Sequence, residues 1–147
     1  MNKYPEITEL IENSKLKFKL TETNTNILTE NNIVHHKIRN FTSLDFYIPN
    51  VKENKLVIKF YNFPTDTDSK CLASYFSKLE EDSIFGISIG YNLTEAEDIL
   101  VSNGYTKENN SFLKGVVRIT LNPLCKSDIV EAFEVSLKTI YSSNKMY

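Results

Sequence analysis

Apolar positions along the chain switch repeatedly between a helical and a strand period. Behind Pro5, whose missing N–H costs nothing at the first helical position, Ile7, Leu10 and Ile11 recur at i, i+3 and i+4 and predict a short amphipathic helix over residues 5–13. The period then drops to two: Lys15-Leu16-Lys17-Phe18-Lys19-Leu20 alternates strictly, which in a strand turns Leu16, Phe18 and Leu20 to the core and three lysines to water. Residues 21–26 are polar and read as a loop, and 27–28, 33–39 and 44–48 offer shorter strands with poorer alternation. Pro49 ends the last of these, and a polar turn over 50–54 leads into Leu56-Val57-Ile58-Lys59-Phe60-Tyr61, a β-branched and aromatic run suited to a central strand.

Beyond Pro64, the Thr65/Asp66 region can cap a helix whose Leu72, Tyr75, Phe76 and Leu79 fall at i, i+3, i+4 and i+7. Ile84–Ile89 reads as a strand with Phe85, Ile87 and Ile89 on one face. A well-punctuated helix follows, with Thr94 and Glu97 as a capping box, Gly104 as the left-handed residue beyond its end, and Tyr105 folding back on Leu100. A polar turn over 107–111 leads to a strand over 115–121 that alternates Val117, Ile119 and Leu121. A final helix, starting at Asn122-Pro123 or at Ser127, carries Val130, Phe133, Leu137, Ile140 and Tyr141. Turns between strands are too short for parallel crossovers. The expected fold is therefore a single α+β domain over residues 1–147, a mainly antiparallel sheet of about five or six strands with helices on one face.

Composition supports a packed domain: apolar residues make up 41% of the 147 and aromatics 12%, enough for a core at a length where folding buries roughly 68–70% of the chain's surface. No apolar h-region follows Met1, and no stretch approaches a membrane span, so a cytoplasmic location without membrane association is the expectation. Cys71 and Cys125 each fall in a predicted helix and read as core or near-core thiols.

Charge changes the picture most. Residues 66–98 hold eight acids, Asp66, Asp68, Glu80, Glu81, Asp82, Glu95, Glu97 and Asp98, against Lys70 and Lys78, a local net charge of −6, while the flanks carry +2 each within a total of −2. Such a field selects a basic partner and opposes the phosphate backbone of nucleic acid. Specific catalytic or metal chemistry finds no support. Gly86-Ile87-Ser88-Ile89-Gly90 has the G-x-S-x-G form of a nucleophile elbow, but the only histidines, His35 and His36, lie upstream of Ser88 and not after it. Adjacent histidines on a strand point to opposite faces. Asp66-Thr67-Asp68 opens like a calcium loop, yet position twelve is Ser77 in place of glutamate. The expectation is a non-enzymatic binding protein with no cofactor and no metal.

The strand-to-helix unit Phe85-Gly86-Ile87-Ser88-Ile89-Gly90 leading into Thr94-Glu95-Ala96-Glu97-Asp98-Ile99-Leu100 resembles the small acidic immunity proteins of bacterial contact-dependent or polymorphic toxin systems. The resemblance covers a small part of the chain. It implies a cytoplasmic protein that blocks a cognate toxin domain, such as a nuclease, by setting carboxylates where the toxin binds phosphate. On that reading Asp66, Asp68, Glu80, Glu81, Asp82, Glu95 and Asp98 form the partner-binding face, with Tyr91 and Tyr105 as aromatic anchors. The alternative is a dimeric secretion chaperone or adaptor for an effector, and a third class is a small hydrolase using Ser88 or the carboxylates.

Overall fold

The computed structural model describes residues 4–20, 44–47, 55–62 and 70–137. Two helices are seen among them, α1 (Pro5–Glu12) and α2 (Leu93–Ser102), together with strands β1 (Ser14–Lys15), β2 (Leu44–Tyr47), β3 (Leu56–Asn62), β4 (Lys70–Ser77), β5 (Ser83–Ile84), β6 (Ile87–Ser88), β7 (Thr106–Glu108), β8 (Ser111–Lys114), β9 (Val117–Leu121) and β10 (Phe133–Leu137). Seven strands form one antiparallel sheet in the order β2-β3-β4-β10-β9-β8-β7, and β1-β5-β6 form a small second sheet. The fold is α+β, as expected.

Register explains why this sheet has one dry face. The pairings Ile58↔Tyr75, Tyr75↔Val135, Val135↔Ile119 and Ile119↔Phe112 line up five side chains across five strands, and all five are fully buried. One rung along, Leu56, Ser77, Phe133 and Leu121 are buried as well. Directly opposed residues share a face, so the intervening rung of Val57, Phe76, Glu134, Thr120 and Ser111 lies on the other side, where every member is half-buried. Ile7 and Leu10 of α1, Ala96 and Leu100 of α2, and Ile84 and Ile87 of the small sheet join the dry rows in one core.

Two expected helices are strands. Leu72, Tyr75 and Phe76 fit a helical stripe, but residues 70–77 lie between β3 and β10, and Leu79 belongs to the turn beyond β4. Ladder bonds on both sides outweigh local periodicity here, and Ser74 and Ser77 are buried beside Tyr75 as an interior strand requires. Likewise Phe133, Val135 and Leu137 alternate inward on β10, because a run with apolar residues at 130, 133, 135 and 137 satisfies both periods and pairing with β4 and β9 selects the strand. The expected strand over 84–89 is instead the β5–β6 hairpin: Phe85 and Gly86 both take positive φ, 51° and 82°, the form of a two-residue type I′ turn. The hairpin β7–β8 falls where a polar turn was expected; β7 is exposed at the sheet edge and polar throughout. Burial over residues 15–20 alternates as predicted, but pairing stops at Lys15. The candidate strands at 27–28 and 33–39, the cap at 65–66, and Ile140 and Tyr141 lie outside the described residues.

The helix α2 is held at both ends. Its cap is Asn92, whose side chain accepts from the Glu95 N–H at 3.0 Å, in place of the expected Thr94–Glu97 box. At its other end the Tyr105 N–H bonds to the Leu100 carbonyl (3.1 Å) and the Gly104 N–H to that of Val101 (3.0 Å), a Schellman motif with Gly104 at φ +94°. Helix α1 is fastened from a distance: Glu6 accepts from the Val116 N–H in the β8–β9 turn at 2.9 Å, and Glu9 pairs with Lys114 at 2.6 Å.

Gly104→Ala forces a Cβ into the left-handed region and is expected to lower stability by about 1 kcal/mol, a fall in Tm of roughly 2–4 °C for a chain of this length. Thermal unfolding followed by circular dichroism checks it.

Candidate interaction surface

The turn after β4 and the loop before β10 lie at one end of the large sheet. Because Ser77 at the end of β4 pairs with Phe133 at the start of β10, the turn over 78–82 and the loop over 122–132 leave the sheet side by side. Asn122, buried and at φ +52°, closes the base of the loop. Its amide donates to the Ile129 carbonyl (2.8 Å) and its Oδ1 accepts from the Glu131 and Ala132 N–H groups (2.7 and 3.3 Å). The far side of the loop is tied to the start of α2, with Leu93 N–H donating to the Asp128 carbonyl (2.9 Å) and Val130 exchanging hydrogen bonds with Gly90 and Tyr91 (2.8 Å each).

With both edges of the loop anchored, Leu124 is left 78% exposed and Ile129 44% exposed, two of the three large apolar side chains that reach solvent among the described residues. Glu80 and Glu81 stand in the neighbouring turn, Asp128 and Glu131 on the loop, and Glu95 and Asp98 on the exposed side of α2, all six exposed; Lys78, Lys126, Lys55, whose carbonyl accepts from the Lys78 N–H, and Lys17, whose N–H bonds to Asp82, are exposed as well.

Several expected site residues are placed elsewhere. Asp82 is fully buried and cannot meet a partner. Its Oδ2 accepts from the Tyr75 hydroxyl and the Ser77 hydroxyl at 2.8 Å each, and its Oδ1 from the Lys17 N–H at 2.7 Å. Burial, followed by the hydrogen bond to Asp82, raises the Tyr75 pKa far above the ordinary tyrosine value, so this hydroxyl stays a donor. Tyr105 is 3% exposed, edge-on to Phe85 at 5.7 Å with the Lys114 ammonium 5.8 Å from its ring, so it is core and not an anchor. Tyr91 is half-buried against the core. Asp66 and Asp68 lie outside the described residues. Glu97 is half-buried and bridges to Lys107 at 3.3 Å.

Cys125 is exposed on the loop instead of buried in a helix. Partial desolvation and the Glu131 carboxylate, 3.6 Å from Sγ, raise its pKa, which keeps it a thiol at neutral pH and a poor nucleophile. Ser88 lies within β6 and not at the turn that leads into α2, so it does not occupy the position of a nucleophile elbow. No group of three or more His, Cys, Asp or Glu among the described residues is placed to hold a metal ion, and no helix among them is long and apolar enough to cross a membrane.

The sequence reading missed Leu124, Asp128, Ile129 and Glu131 because it placed a helix there. The signal was present: Asn122-Pro123 followed by Cys125-Lys126-Ser127-Asp128 is turn chemistry as much as a helix start. Compared with known proteins, the chain matches no family model, no curated relative and no solved structure.

Replacing Asp82 tests its structural role. Asp82→Ala leaves two hydroxyls and one backbone N–H without their acceptor; at roughly 1–3 kcal/mol for each buried unsatisfied group, the expected loss is about 3 kcal/mol or more. Urea unfolding measures it, and a loss below about 1 kcal/mol would show that the network contributes little.

Proposed function

We propose that the chain is a non-enzymatic protein-binding module, an immunity-type protein that neutralises a basic cognate toxin domain through the exposed loop at the end of the sheet. The observation that carries this reading is the exposure of Leu124 and Ile129 on a loop tied down at both edges, with exposed Asp128 and Glu131 on the same loop and exposed Glu80 and Glu81 in the neighbouring turn. Apolar side chains held out by a loop anchored on both edges are suited to a preorganised interface, where a few central residues carry most of the affinity. The carboxylates act differently: they steer a partner of opposite sign and exclude partners of like sign. The same field disfavours a phosphate backbone but fits the basic surface by which a nuclease would grip one.

The test is survival of bacteria that co-express the chain with candidate basic toxin domains, taken first from genes neighbouring its own, with binding of each purified pair measured at two salt concentrations. Wild type is expected to protect. Leu124→Asp combined with Ile129→Asp is expected to weaken binding by tenfold or more, about 1.4 kcal/mol, mainly through faster dissociation. Glu80→Lys with Glu81→Lys is expected to slow association and flatten its salt dependence while leaving Tm nearly unchanged. Ser88→Ala is expected to protect as wild type does. Protection lost in a folded Ser88→Ala protein, or unchanged in both surface variants, would refute the reading.

A further inference from the structure

We draw no further inference here: the strongest candidate, the surface patch of exposed Lys15, Lys17, Lys55 and Lys78 where the segment after β1 meets the turn after β4, stands beside the exposed carboxylates of Glu80 and Glu81, so its charge selects neither an anionic nor a cationic partner and nothing in the structure shows what covers it.

Discussion

The architecture turns on a carboxylate with no exposure. Asp82 has given up its hydration, and among the described residues its acceptors are satisfied by Tyr75, Ser77 and the Lys17 N–H, two hydroxyls and one amide. A buried polar group of this kind is tolerable only while every such bond is kept. Keeping them fixes three things at once. Tyr75 must hold its place in the dry row of the sheet, the chain from Ser14 to Leu20 must lie against that row although its own ladder ends at Lys15, and the turn after β4 must fold tightly. The Ser77 hydroxyl tightens that turn further by accepting from the Leu79 N–H at 3.0 Å while donating to Asp82.

This constraint reaches the surface. With Asp82 drawn inward, Glu80 and Glu81 are left at the outside of a turn whose last residue cannot move, next to the loop that Asn122 closes. Carboxylates presented from a fixed turn, and apolar side chains presented from a loop tied on both edges, lose less conformational entropy when a partner binds than the same groups on a free segment. Stability and the proposed recognition therefore share one cause. Acids elsewhere serve the fold directly: Glu6 and Glu9 bind α1 to the β8–β9 hairpin, and neither belongs to the strongly acidic third of the chain.

Some of this was legible from the residues alone. The helices α1 and α2, the Schellman end at Gly104 and the alternation of β9 were determined by signals within a few residues, namely Pro5, the 3.6-residue spacing, a glycine suited to positive φ and strict period two. Other elements were decided only by tertiary structure. Residues 70–77 and 133–137 carry apolar spacings that serve a helix or a strand equally, and their pairing with each other across more than fifty residues of sequence made them strands. Glu80, Glu81 and Asp82 are chemically alike and adjacent, yet two are solvated and one is sealed in the core. Which of them is sealed depends on where Tyr75, Ser77 and Lys17 meet in space, and hydrogen bonds between segments distant in sequence leave no periodicity along the chain to read.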